Sequence, residues 1–285
     1  LSENLNMMLQ AMVSGERLFD VLDTPAEIED SAEPRVATGV RGAVSFEGVH
    51  FGYKDDEPVL RGVTFDVRAG STLAIVGPTG AGKSSILNLV SRFYDVQGGA
   101  VKVDDADVRE YAVRSLRSRI AIVLQDVFLF RGSVLENIRL FDESITREQV
   151  EDAVRTVHAG GVIERLPLGL DAPVEERGAN FSAGERQLLA FARAIVHDPA
   201  ILVLDEATSS IDTATEKLIQ EALDAMRRNR TTIVVAHRLS TIKSADQILV
   251  MRRGQVAEQG SHEELLREGG LYRKLYELQV KHESH

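Results

Sequence analysis

The stretch Gly77-Pro78-Thr79-Gly80-Ala81-Gly82-Lys83-Ser84 fits G-x-x-x-x-G-K-[ST]. It constrains the fold more than any other part of the chain. The glycines of such a loop let backbone N–H groups turn inward and cradle phosphate oxygens. Lys83 reaches the β- and γ-phosphates, and the Ser84 hydroxyl is a ligand for Mg²⁺. The loop needs a strand before it and a helix after it, because the helix N-terminus adds partial positive charge on the same anion. Thr72 to Val76 is an apolar run with the character of a buried strand, and Ile86, Leu89, Val90 and Phe93 follow at helical spacing. The loop in that setting implies nucleotide binding.

The bulk properties bound the rest. With 285 residues, 44% of them hydrophobic, the chain can bury the core of one large domain or two. It has no cysteine, hence no disulfide and no thiolate metal site. The net charge of -11 argues against a nucleic-acid surface. No run of about 18 apolar residues is present, so the sequence predicts no membrane span. The chain begins at Leu1 and carries no signal peptide; it reads as a piece of a longer protein.

Taken in order, Leu1 to Leu22 places apolar residues close to helical spacing, and Asp23 to Gly42 is acidic with Pro25, Pro34 and Gly39, a linker composition. A new unit starts near Ala43. Two strand-like runs fill Val44 to Val67 around a loop at Lys54 to Pro58, with Tyr53 at its edge. An exposed ring there either packs locally or stacks on a base. Ala100 to Val103 reads as a short strand, and Ile120 to Leu124 as another that closes on Gln125. That amide is either delivered to a site at the strand end or lies at the surface. Phe128 to His197 reads as mostly helical, with loops around Gly160-Gly161 and Leu166 to Asn180. Ser182 and Glu185 are spaced as a capping box ahead of Leu188, Leu189, Phe191, Ala192 and Ile195. A capped helix start and an anion site are both open readings there.

Ile201 to Leu204 is continuously apolar, as a strand buried on both faces should be, and ends in Asp205-Glu206. Beside a phosphate loop, Asp205 would hold Mg²⁺ and Glu206 would polarise an attacking water. A helix from Ala214 to Arg228 precedes a buried strand, Thr232 to Ala236, which closes on His237. That histidine is either structural or a ligand of the γ-phosphate. Strands at Gln247 to Met251 and Gln255 to Glu258, then helices at His262 to Arg267 and Leu271 to Gln279, complete the chain. Alternating strands and helices predict a mostly parallel sheet flanked by helices.

With the P-loop, Gln125, Ser182 to Glu185, Asp205-Glu206 and His237 in that order, the sequence from about Ala43 to Gln279 resembles an ABC ATPase, more narrowly the nucleotide-binding domain of an ABC exporter of multidrug or lipid type. The resemblance implies a RecA/F1-like P-loop NTPase core with an antiparallel β subdomain and an α-helical subdomain at about 126–197. It implies that 1–38 is the end of a last transmembrane helix with its linker, and 39–285 the nucleotide-binding domain. ATP and Mg²⁺ would be the ligands. Tyr53 matches the adenine-stacking aromatic. Gly77, Pro78, Thr79, Gly80, Ala81, Gly82, Lys83, Ser84 and Ser85 match the Walker A loop, and Gln125 matches the Q-loop glutamine that touches Mg²⁺. Asp205 matches the Walker B aspartate, Glu206 the catalytic glutamate, Ser209 to Asp212 the D-loop, and His237 the switch histidine.

Ser182, Ala183, Gly184 and Glu185 fall in the signature motif, which reaches the γ-phosphate held by a second such domain. Glu176-Arg177-Gly178 resembles the loop that touches coupling helices of a transmembrane domain. The implied place is the cytoplasmic face of a membrane. One departure stands out: the signature reads Phe-Ser-Ala-Gly-Glu where Leu-Ser-Gly-Gly-Gln is usual. Ala183 adds a methyl group and Glu185 a negative charge near an anion, which raises the alternative of a weakly hydrolysing subunit of a heterodimer. An ABC-type ATPase acting on nucleic acid would need a coiled-coil insertion, a duplicated cassette or a basic surface, and the sequence has none of these.

Overall fold

The computed structural model describes residues 2–24, 28–54, 56–124, 126–205, 213–236 and 238–283. Helix α1 (Ser2–Leu22) comes first, with Leu5, Met8, Leu9, Met12, Leu18 and Phe19 all exposed. The acidic segment after it does not hang free. The Arg92 guanidinium donates to the Glu29 carbonyl, Val113 N–H to the Asp30 carboxylate, and Ala37 N–H to Ser115 Oγ.

Strands β1 (Val44–Phe51) and β2 (Leu60–Val67) pair antiparallel, and β1 also pairs with β4 (Gly98–Val103), which leads to β5 (Ala106–Asp107). Between them run β3 (Thr72–Val76) and helix α2 (Lys83–Val90). Helix α2 closes at Val90, so Phe93 does not continue its apolar face; its ring instead lies under the Arg117 guanidinium, 5.2 Å away. Short helix α3 (Val113–Arg117), which the periodicity does not announce, precedes β6 (Ile120–Val123).

The helical layer holds a short antiparallel pair, β7 (Gly132–Ser133) with β8 (Pro173–Val174), and helices α4 (Val134–Arg139), α5 (Arg147–Thr156), α6 (Gly160–Glu164) and α7 (Ala183–Ile195). Helix α6 corrects the expectation of a loop at Gly160-Gly161. Neither glycine has a neighbour within 4 Å of a built Cβ, and tertiary burial of Val162 holds the turn despite its glycines. Strand β9 (Ile201–Asp205), helix α8 (Thr213–Arg227), β10 (Thr231–Val235), α9 (Leu239–Ser244), β11 (Gln247–Arg252), β12 (Gln255–Gly260), α10 (His262–Glu268) and α11 (Leu271–Glu283) complete the chain.

The main sheet runs β12-β11-β3-β10-β9-β6, parallel except for β12. Its strands read as continuously apolar because each face meets a different core. Leu73, Ile75, Ile201, Val203, Ile233 and Leu249 join the cluster formed with the antiparallel sheet and α2. Ala74, Val76, Leu202, Leu204, Val234 and Ile248 join the cluster formed with the helical layer. The phosphate loop therefore leaves the carboxyl edge of a strand buried on both sides, where α/β sheets bind ligands.

Candidate nucleotide site

Steric constraint fixes the loop after β3. At Gly77, φ is 148°, and a Cβ would lie 2.3 Å from the Met251 carbonyl oxygen on the neighbouring strand β11. Gly82 caps α2 in the left-handed region (φ 98°, ψ 10°), where a Cβ would meet Leu60 Cδ2 at 2.6 Å. Gly80 also has positive φ, 76°, but faces open space. The Ala81 N–H donates to the Pro78 carbonyl, and the Gly254 N–H donates to the Ala81 carbonyl, tying the loop to the β11–β12 turn.

Lys83 opens α2 and is only 9% exposed. Its ammonium donates to the Gly77 carbonyl at 2.9 Å and the Pro78 carbonyl at 3.0 Å, curling back over the loop. Burial pushes its pKa below the ordinary lysine value, while the Asp205 carboxylate opposes that shift. Asp205 ends β9 in register with Val235, itself paired to Ile75, so it stands one strand removed from the root of the loop. Ser84 is exposed beside Lys83, and Ser85 is buried. The loop matches a polyphosphate: glycines where a Cβ would collide, a buried cation beneath, a helix N-terminus behind. Ser84 and Asp205 are hard oxygen donors of the kind Mg²⁺ takes.

Tyr53 lies over this corner, half exposed. Its hydroxyl is 3.1 Å from Ser85 Oγ and accepts from Asn88 Nδ2 at 3.0 Å. The ring meets Phe51 and Tyr94 edge-on at 4.9 and 5.1 Å. Asn88 and Tyr94 are not singled out by the sequence, although Asn88 sits three residues from Ser85 on one face of α2.

Ser182 caps α7 with both arms of the box made: Ser182 N–H to Glu185 Oε2 at 2.8 Å, and Glu185 N–H to Ser182 Oγ at 3.2 Å. Glu185 also pairs with the Arg165 guanidinium. Burial works to raise the Glu185 pKa, but the Ser182 N–H and Arg165 outweigh it and hold the carboxyl below its ordinary range. The Glu185 carboxylate is thus paired within its own chain and stays charged. Arg165, twenty positions upstream, carries no local signal of this role. Among the described residues no hydrogen bond or ion pair joins 182–185 to 77–85.

Arg177 takes a left-handed conformation (φ 57°) in an exposed turn, with Gly178 packed on Leu129. Gln125, Glu206, Ser209 to Asp212 and His237 lie outside the described residues. The residues that precede Gln125, Glu206 and His237 in sequence are described: Leu124, Asp205 and Ala236 stand at the carboxyl edge of β6, β9 and β10, the three strands on one side of β3.

Against known proteins, the family model described as ABC transporter matches residues 60–209. The chain is 48% identical over 269 residues to a probable multidrug resistance ABC transporter ATP-binding/permease protein of Bacillus subtilis, covering 94% of this chain and 40% of that one. It is 45% identical over 268 residues to a fatty acid ABC transporter ATP-binding/permease protein of Mycobacterium tuberculosis, covering 94% and 42%. It is 43% identical over 270 residues to an ATP-dependent lipid A-core flippase of Desulfotalea psychrophila, covering 95% and 47%. A solved bacterial Atm1-family ABC exporter with ATP bound superposes with a TM-score of 0.86 at 42% identity, covering 95% of this chain and 47% of that one. The chain spans less than half the length of each of these proteins.

Proposed function

This chain belongs to the ABC transporter family, and on that premise we propose that it is the ATP-binding and ATP-hydrolysing domain of an exporter, residues 39–285, preceded at 1–38 by the end of a membrane helix and its linker. The observation that carries the reading is the loop whose Gly77 and Gly82 exclude any side chain above the buried, inward-curled Lys83. Similarity to exporter ATP-binding/permease proteins over 94–95% of the chain supports the same reading.

The residues divide the work. Tyr53 stacks on the base. Backbone N–H groups from Thr79 to Ser85 hold the phosphates, and Lys83 exchanges its two loop carbonyls for phosphate oxygens. Magnesium, when bound, supplies charge neutralisation on the phosphates; Ser84, Asp205 and Gln125 would hold it. Glu206 orients and polarises the attacking water, and His237 donates to the γ-phosphate. Ser182, Ala183 and Gly184 at the start of α7 serve the loop of a second domain, identical or related, in a head-to-tail pair. ATP favours the closed pair over the open one and shifts the population toward it. The alternative of a weakly hydrolysing subunit rests on the Ala183 methyl group and the Glu185 charge; Arg165 pairs with that charge, and the methyl group is untouched by it.

For the transmembrane partner, a patch of large apolar side chains flanks the helical layer. Leu124, Phe128, Phe130, Leu140 and Phe141 are 44–61% exposed, with the three rings in edge contact. Together with Glu176 to Gly178, it is a surface suited to coupling helices at the cytoplasmic face of the membrane. Among the described residues no helix is long and apolar enough to cross a membrane. The test is Glu206→Gln: ATP binding is retained while turnover falls by orders of magnitude. Undiminished turnover overturns the assignment.

A further inference from the structure

The amino-terminal edge of the main sheet, opposite the phosphate loop, holds a second concavity of about 730 Å³. The segments leading into β3, β6, β9 and β10 form its walls, and the linker closes one side at Val40 and Arg41. Four arginines line it, Arg41, Arg119, Arg228 and Arg230, against one carboxylate, Asp198. That balance is opposite in sign to a chain carrying a net charge of -11.

Two of the guanidinium groups are built into the wall. Arg230 donates to the Asp198 carboxylate at 2.7 Å and to the Pro199 and Met226 carbonyls at 3.2 Å each, and its side chain is 18% exposed. Arg119 donates to the Ala37 carbonyl at 3.1 Å. The other two, Arg41 and Arg228, are exposed, and among the described residues their side chains have no hydrogen-bond or ion-pair partner. The backbone around Arg41 is firmly anchored. The N–H groups of Arg41, Gly42 and Ala43 all donate to the Asp104 carboxylate. Gly42, at φ 91°, leaves so little space that a Cβ would lie 2.9 Å from the Ala200 carbonyl oxygen. Arg41 is thereby held in the lining of the concavity, which Arg228 shares.

Four planar forks around one pocket focus positive potential and match the oxygens of a phosphate chain, which lysines would meet only as point charges. We propose that this groove binds a compound carrying a di- or triphosphate group, with Arg119 and Arg230 as its fixed wall and Arg41 and Arg228 as its clamps. Because Arg41 belongs to the segment after α1, occupancy would rivet that segment to the sheet edge. The site is separate from the Gly77–Ser85 loop and stands whether or not that loop hydrolyses ATP.

The test is a calorimetric titration of the whole chain with inorganic pyrophosphate at constant ionic strength, in a Lys83→Ala background that weakens the first site. A saturable isotherm is expected, and its affinity falls at least tenfold in Arg41→Ser/Arg228→Ser, two exposed positions whose replacement leaves the fold intact. Bound pyrophosphate should also slow tryptic cleavage at Arg41 while leaving cleavage at the distant Arg273 unchanged. ADP titrated in parallel separates free polyphosphate from nucleotide as the source; saturable binding of either that weakens in the double variant supports the proposal. Absence of saturation with both, or equal affinity in the double variant, overturns it.

Discussion

Two glycines of one tight loop, Gly77 at its start and Gly80 in its middle, have different physical reasons to be glycine, and substitution separates them. At Gly77 an alanine Cβ would sit 2.3 Å from the Met251 carbonyl oxygen and 3.2 Å from its carbon. The obstacle is backbone, and it cannot retreat cheaply. Strands β3 and β11 are hydrogen-bonded in register from Leu73↔Gln247 to Val76↔Val250, so movement at the clash opens that ladder. Left-handed strain of about 1–3 kcal/mol adds to an overpacking cost of about 1–3 kcal/mol. Gly77→Ala should therefore lose about 2–6 kcal/mol, centred on ~4, within the range of severe backbone and packing defects. At Gly80 the same Cβ meets nothing within 4 Å, and only the positive φ of 76° is penalised, at about 1–2 kcal/mol. With a urea slope of roughly 2–3 kcal/mol per molar, the midpoint should drop by more than about 1 M for Gly77→Ala, and by about half that or less for Gly80→Ala. Equal shifts in the two variants would refute the claim that the sheet itself demands the first glycine.

Asn137 is fully buried and accepts from Phe130 N–H while donating to the Phe130 and Ser133 carbonyls. Asn137→Ala strands those groups and removes a partner of Arg193, for an expected loss of about 2–4 kcal/mol in thermal or urea denaturation; a loss under about 1 kcal/mol would contradict the network. Tyr272, its hydroxyl 2.6 Å from His262 Nδ1, is pushed up to about 12 by burial and by Tyr276. A folded pKa raised above the unfolded one stabilises fully below about pH 10 and less as pH climbs toward 12. Ultraviolet titration should show Tyr272 ionising late, beside Tyr111, which burial also pushes up, and Tyr272→Phe should remove its share of that late change.

Much of this architecture was legible because its signals are local. The continuous apolar runs of β3, β9 and β10 announce strands with a core on each face, and the glycine pattern announces the loop between β3 and α2. Short helices escaped. Helices α3 and α9 span five and six residues, too few for periodicity, and α6 forms against its own glycines because Val162 is buried. The site was legible by motif but not by electrostatics. Arg165, Asn88 and Tyr94 reach their partners through tertiary folding alone. The capping box illustrates the limit: Ser133, Thr146, Ser182 and Ser261 all build one. The spacing at Ser182 to Glu185 therefore identifies a helix start, and only its order among the other motifs sets it apart.

On the reading proposed above, the Gly77–Ser85 loop is where this chain holds ATP. The measurement that tests it most directly is calorimetric titration of ATP with Mg²⁺ into the native chain and into Lys83→Ala, with circular dichroism confirming that both are folded. The account predicts saturable binding to the native chain and at least a tenfold loss in the variant, about 1.4 kcal/mol or more. Unchanged affinity in Lys83→Ala would contradict it.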